Sequence, residues 1–307
     1  MKAVLQEAGM SRQNYHKRYW RYKRKAFYHK RLIHIMHEVR NDHPKMSPEV
    51  IYRKIQPESM GRDQFVTLAN ANGFKVSQKR NYRVTTDSRG VKKLPNEIEG
   101  KELTNMNMVW VSDITYYELG GSFVYITTVM DLYSRRVLGG VLSRSLKAEE
   151  TTIKALTMAL RTRNTGSYNW NLIFHSDGGS QYYSRAFKNL REQYQIKGSM
   201  AEIVYDNPHA ERVLGTIKND YLIPYGAVSY EQLEKDLART MNLYNRDRPH
   251  EGCMGMAPVE FEQYICGLKE GKRPKVKVKF LEKSTFSTDV HKRKKKQKRK
   301  INDGSNM

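Results

Sequence analysis

A chain of 307 residues can hold one catalytic domain of ordinary size and one or two small modules. Lys and Arg number 55 against 32 Asp and Glu, a formal net charge of +23, so a polyanionic partner bound in a salt-dependent way is expected. Two cysteines with no paired ligand spacing exclude a disulfide scaffold and a structural zinc site. The chain has neither an apolar run near 18 residues nor a secretory h-region, so a cytoplasmic protein without a membrane partner is expected.

Residues 1–28 are expected to form a helix-turn-helix. A short apolar helix runs through Val4, Leu5 and Ala8, Gly9 makes the turn, and Ser11 caps a second helix, RQNYHKRYWRYKRK. Arg12, Lys17, Arg18 and Arg21 are the expected DNA contacts, with Tyr15, Tyr19, Trp20 and Tyr22 packing behind them. A solvated basic helix is the competing reading. Residues 29–84 suggest a winged helix-turn-helix-like module. Its helices are RLIHIMHEVRNDHP, stopped at Pro44, SPEVIYRKIQ, capped by Ser47, and GRDQFVTLANANGFKV, ended by Gly73 before a short strand. A helical bundle that only spaces the chain would share this pattern. The polar stretch 85–105, with Gly, Pro and Ser, is expected to be a linker.

Residues 106–265 carry the regular region. MVWVSDITYYEL, SFVYITTVMDLY and RRVLGGVLSR form three strands of an antiparallel meander. A helix over Ala148 to Arg163, the strand NLIFHSD, the helix SRAFKNLREQY and the strand IKGSM follow, then a helix through Glu211 and another in EQLEKDLARTMNLYNRD. Hairpins followed by alternation with helices predict a mixed α/β layer covered on both faces. Residues 266–307, ending in HKRKKKQKRKINDGSNM, are expected to be a basic, largely disordered tail for nucleic acid.

Three acids carry most of the chemistry: Asp113 in VWVSDITYY, Asp177 in NLIFHSDGG and Glu211 in DNPHAERVLGTIK. Two end apolar, β-branched runs and the third lies on a helix, so separate elements can bring carboxylates together. Hard divalent cations take oxygen ligands, and such a set suits a magnesium pair acting on a phosphodiester. Asp206 is expected to cap the helix and Pro208 to occupy its first turn. Glu211, Gly215 and Lys218 then share a face at i, i+4 and i+7, placing Lys218 toward phosphate; a side chain at 215 would crowd that face. Asp131 is expected to cap a turn rather than serve as a fourth carboxylate. His175 and His209 are open between substrate handling and packing, and Arg248 and His250 in YNRDRPH between DNA contact and bracing.

The motifs SDITY, HSDGGSQY, AER with Lys218, YNRDRPH and APVEF occur here in one order. With them the chain resembles the DDE transposases and retroviral-type integrases, above all the second-reading-frame transposases of the IS-three group of bacterial insertion sequences. The resemblance spans nearly the whole chain. It implies an RNase H-like core with the two aspartates on adjacent strands and the glutamate on a flanking helix. It also implies Asp113, Asp177 and Glu211 as catalytic metal ligands for two Mg2+ ions, with Mn2+ as a substitute. The implied activity is 3′-end cleavage and strand transfer on double-stranded DNA, at terminal inverted repeats and target. The implied assembly is a homo-oligomer, with an upstream-frame product as a further partner. The second and third acids stand two residues closer than is usual in the group, which leaves Asp206 as an alternative third ligand.

Overall fold

The computed structural model describes residues 2–76, 94–164, 171–201 and 207–278. Chain order begins with α1 (Lys2–Glu7), α2 (Arg12–Asp42), α3 (Pro48–Ile55) and α4 (Arg62–Ala71). Ser11 caps α2 as expected, its hydroxyl accepting from the Asn14 N–H at 3.2 Å. The helix then runs for 31 residues without a break. The two helices expected on either side of residue 28 are therefore one, because no Gly or Pro interrupts the sequence between Arg12 and Asp42.

The aromatics expected behind the basic side chains are also relocated. Trp20, Tyr22 and Phe27 are exposed, because this half of α2 meets no helix beyond the short α1. In its second half Leu32 and Met36 pack with Met46, Ile51, Met60, Phe65, Ala69 and Phe74, a small core of α2, α3 and α4. No strand follows Gly73 as far as residue 76, and the next described residue is 94.

The catalytic-size unit is built on β2 (Val109–Leu119), β3 (Ser122–Asp131), β4 (Val137–Ser143), β5 (Ile173–Ser176) and β6 (Lys197–Met200). Gly120 and Gly121, at φ 56° and 77°, make the two-residue turn that joins β2 to β3. The strand order β4-β3-β2-β5-β6 combines an antiparallel meander with two parallel additions, which is the RNase H-like arrangement. Alternate side chains feed two cores. Trp110, Val129, Leu138 and Phe174 pack on α5 (Thr152–Thr162) and α6 (Arg185–Gln193). Val109, Val111, Ile126 and Ile173 pack under α7 (Pro208–Gly215), its π-helical continuation Thr216–Leu222, α8 (Ile223–Tyr225), α9 (Tyr230–Arg246) and α10 (Pro258–Cys266). Close approach of both layers depends on two glycines of β4. A Cβ at Gly139 would run into the Ala155 carbonyl of α5, and one at Gly140 into the Met241 sulfur of α9.

The expected domain edges at 105/106 and 265/266 fall inside this unit. The strand β1 (Glu102–Leu103) pairs antiparallel with β7 (Val276–Lys277), and Ile98, Leu103 and Val278 are buried in the α7 side core. Part of the expected linker and the start of the expected tail are thus folded. The basic block His291–Lys300 and residues 85–93 lie outside the described residues. Among the described residues no helix is long and apolar enough to cross a membrane.

Buried ionic bonds lock the far end of the sheet. Asp131 caps the turn after β3 as expected, accepting from the N–H groups of Asn107, Tyr133 and Ser134 at 2.6, 3.0 and 2.9 Å. Glu262 of α10 accepts from Arg163 at 2.5 and 2.9 Å, from Arg136 at 2.6 Å and from the Ser134 hydroxyl at 2.6 Å. Burial alone would raise its pKa, but the bonds from Arg163, Ser134 and Arg136 hold it below the usual carboxylate range. A depressed native pKa contributes stability that is present above the unfolded value and lost as pH falls through the folded one. Glu262→Ala should cost about 3 to 5 kcal/mol in urea unfolding at neutral pH, because it strands two guanidinium groups. The deficit relative to the parent chain should shrink as the pH is taken below the carboxylate range.

Candidate active site

The two aspartates are levelled by strand register. Val111 pairs with His175 in the parallel β2–β5 ladder, and Asp113 and Asp177 each stand two residues farther along. The ladder ends at that pair; continued by two residues on each chain segment, its register faces Asp113 with Asp177 on the side that Val109, Val111 and Ile173 show to α7. Asp113 lies within β2 and Asp177 just past the end of β5. Glu211 occupies the first turn of α7, which lies over that face and buries Ala210, Val213 and Leu214 against it.

Electrostatics connect the three carboxylates. Burial first, then the charge of Asp177, and to a smaller extent that of Glu211, push the Asp113 carboxyl well above its ordinary value. One hydrogen bond, from the Ile114 N–H at 2.8 Å, opposes this. Partial desolvation and the charge of Asp177 raise the Glu211 carboxyl as well, although much of that residue is open to solvent. Among the described residues no Lys or Arg acts appreciably on Asp113 or Glu211. An all-oxygen donor set in which Asp177 raises both Asp113 and Glu211 suits a hard divalent ion. Still, among the described residues no three His, Cys, Asp or Glu side chains are gathered closely enough to hold a metal as they stand.

Neighbours fix the frame around these acids. Asn207, buried at the N-terminus of α7, donates to the Ser112 carbonyl at 2.9 Å and so ties the helix start to the strand beside Asp113. Its Oδ1 is buried without a partner among the described residues. The helix cap is this asparagine and not Asp206, because Pro208 takes the first helical position and leaves the residue before it as cap. Asp206 itself lies outside the described residues. Sequence reading missed Asn207, although the Asn-Pro pair carried the signal. It also missed Tyr182, whose hydroxyl bonds Ser112 Oγ at 2.9 Å and whose phenol is raised by burial and by the charges of Asp177 and Asp113.

The face expected for Glu211, Gly215 and Lys218 presumed an unbroken α-helix. The π-helical segment from Thr216 changes the phase, and Lys218 instead donates to the Tyr116 carbonyl at 2.5 Å and lies 4.1 Å from that ring's centre. A Cβ at Gly215 would meet only Asn219 Nδ2 at 3.9 Å, so that surface is not crowded. His175 is buried and bonded to Ser199 Oγ at 2.9 Å, a packed strand histidine. Arg248 is a brace: it bonds Asp220 at 3.2 Å and the Tyr221 hydroxyl at 3.4 Å. His250 packs on Tyr244 with ring centres 4.5 Å apart. Arg12, Lys17, Arg18 and Arg21 are exposed on the free half of α2, remote in sequence and element from the acids.

Comparison with known proteins gives one consistent picture. Two descriptions of the integrase core domain match residues 104–204 and 199–258. The insertion element IS600 uncharacterized 31 kDa protein of Shigella sonnei is 31% identical over 209 residues, 66% of this chain and 75% of that protein. Transposase InsF for insertion sequence IS3fB of Escherichia coli strain K12 is 32% identical over 159 residues, 51% of this chain. That match spans about half of InsF, 54% of its length. Among solved structures, the HTLV-2 integrase catalytic core domain in complex with magnesium aligns at 19% identity and a TM-score of 0.41, over 54% of this chain and 99% of that one.

The raised carboxyl of Asp113 has a thermodynamic consequence. A group whose native pKa is raised contributes stability that is present below its unfolded pKa and is lost as pH rises through its native one. In chelator-treated protein Asp113→Asn should therefore melt a few degrees above the parent chain at neutral pH, with the gap closing toward low pH. A lower melting point for the variant at neutral pH would contradict the repulsion described here.

Proposed function

Because the chain belongs to the IS-three group of insertion-sequence transposases, built on an integrase core, we propose that it cleaves the 3′ ends of its own element and joins them to target DNA. The observation that carries this reading is that Asp113 within β2 and Asp177 just past β5 each stand two residues beyond a registered pair, with the charge of Asp177 acting on both Asp113 and Glu211. Asp113, Asp177 and Glu211 would hold two Mg2+ ions, or Mn2+ in their place. When bound, such a pair supplies Lewis acidity at the scissile phosphate and lowers the pKa of water.

The chain's own residues account for the remaining parts. The sheet and α7 hold the three carboxylates on separate rigid elements, so their spacing is set by register and packing. Asn207 keeps the Glu211 helix against β2. Water attacks the phosphodiester at the element end and releases a 3′-OH, which then attacks a target phosphodiester in line; no covalent link to the protein forms. The exposed basic half of α2, with Arg12, Lys17, Arg18 and Arg21, would grip double-stranded DNA at the terminal repeats, and Lys218, once released from Tyr116, would contact phosphate near Glu211. Because two ends must be paired, the working form is a homo-oligomer on DNA in the cytoplasm, with an upstream-frame product as a further partner.

The test is a strand-transfer assay with labelled terminal repeats, target plasmid and magnesium. The parent chain should give nicked ends and joined products. Asp177→Asn should lose both by at least about a thousandfold, while gel-shift binding of the ends is retained. Cleavage without joining would reassign the chain as a nuclease, and near-parental cleavage by the variant would remove the assigned chemistry.

A further inference from the structure

Two residues before Glu211, at His209, the chain gathers positive charge from Arg135 and Arg212. Arg135 stands in the β3–β4 turn at φ 61°, a left-handed conformation that is strained for a residue with a side chain. Its Nη1 donates to His209 Nδ1 at 3.0 Å. A guanidinium only donates, so Nδ1 is the lone-pair nitrogen and the neutral ring carries its proton on Nε2. Burial lowers the basicity of Arg135, and the nearby charge of Arg212 lowers it further. Asp131 is near enough to oppose this, but its oxygens are already engaged by three backbone N–H groups and by Arg163.

His250 completes the cluster. Burial, Arg248, Arg135 and Arg212 together drive its pKa down to about 3, so the ring is neutral; its bond to the Tyr244 backbone uses the protonated nitrogen and leaves Nε2 a lone pair. Arg248 has its counterion in Asp220. Arg135 and Arg212 have none: among the described residues no carboxylate lies within ion-pair distance of either. A desolvated guanidinium without an anion is unfavourable, and the planar group pairs with phosphate or carboxylate; on a chain of net charge +23 a polyanionic phosphodiester is the fitting partner. Arg212 and Glu211 are exposed on the same turn of α7, so the cluster opens beside the acids.

We infer that Arg135 and Arg212, brought together at His209, form a phosphate site that holds the DNA backbone next to the reacting phosphodiester. This rests on the chain being a DNA-processing protein. The site would add a fixed anchor on the Glu211 side, distinct from the exposed arm of α2.

The full-length chain should melt at a higher temperature in sodium phosphate than in sodium chloride of equal ionic strength, because an anion that binds only the native state stabilises it by mass action. Arg135→Gln should lose that increment and melt no lower than the parent chain in chloride; Arg135→Lys should keep the increment in part. In anisotropy titrations with duplex DNA, Arg135→Gln should bind several-fold more weakly. Its plot of log K against log salt should be shallower by about one contact, roughly 0.9 in slope.

A variant that melts well below the parent chain, with an unchanged salt slope, would make Arg135 a structural brace and overturn the site. Phosphate stabilisation without any change in slope would overturn the DNA assignment. If Arg135→Gln does not fold, the phosphate increment of the parent chain and the salt slope of Arg212→Gln carry the test. Neither measurement needs catalysis, so Asp177→Asn retaining strand transfer would fail the functional reading without touching this one.

Discussion

Like-charged carboxylates held at one height on neighbouring strands are the constraint around which the rest is arranged. Asp113 and Asp177 each stand two residues past the last registered pair, Val111 with His175, and burial and the charge of Asp177 raise the cost of ionising Asp113. Left to itself such a site would favour strands that slip or a helix that lifts away. The fold resists both. Val109, Val111 and Ile173 sit in the same core as Ala210, Val213 and Leu214, so slipping β2 by one residue would turn Val109 and Val111 out of that core and toward α5 and α6. Asn207 adds a buried bond between the helix start and the strand.

At the opposite end of the sheet charge is handled in the other manner. There Asp131, Arg163, Glu262 and Arg136 are buried together with their hydrogen bonds made, and the carboxylate of Glu262 is held ionised. The same chain thus compensates these anions where they serve structure, whereas the Asp113 carboxyl is raised by burial and by the charge of Asp177. Arg212 directly follows Glu211 on α7, and Arg135 reaches that helix through His209. Carboxylates and guanidinium groups set side by side suit a ligand that carries both metal-seeking oxygens and negative charge, which is what a phosphodiester backbone offers.

The sheet was legible because its strands alternate cleanly and its turns are marked by glycines: Val109, Val111 and Tyr117 read as one face, Trp110 and Ile114 as the other. Asp131 was legible as a turn cap for the same reason. What sequence could not supply were the nonlocal and phase-breaking features. The two-residue pairing of Glu102–Leu103 with Val276–Lys277 joins segments too polar and too short to carry a pattern. The π-helical segment after Gly215 leaves the hydrophobic spacing nearly intact, and Lys218 is held by the Tyr116 carbonyl, a nonlocal partner that spacing does not reveal. The 31-residue helix was divided because its two halves differ in composition, although a change of composition is no helix stop. Its aromatics were then given an imagined core, when Trp20 and Tyr22 in fact face solvent.

That long helix joins the two ends of the protein physically. At about 1.5 Å per residue it extends about 45 Å, from the basic aromatic half to the docking point at its C-terminus. There His43 Nε2 meets Asp247 at 2.7 Å and Nδ1 meets the Tyr221 hydroxyl at 2.7 Å. A carboxylate only accepts, so the ring proton lies on Nε2 and Nδ1 accepts from the tyrosine. Tyr221 remains a donor because burial lifts its phenol to about 12. Lys54 also bonds Asp247, and Asp42 bonds Arg239 at 2.8 Å while its carbonyl takes the Tyr225 hydroxyl at 3.0 Å. Tyr221 and Tyr225 belong to the same helical run that starts with Glu211. The C-terminus of α2 is therefore fastened, through groups whose hydrogen bonds are already made, to the helical run that carries Glu211. The bond from Tyr221 falls within the π-helical part of that run, Thr216–Leu222, so the long helix is anchored where the run departs from regular α-helix.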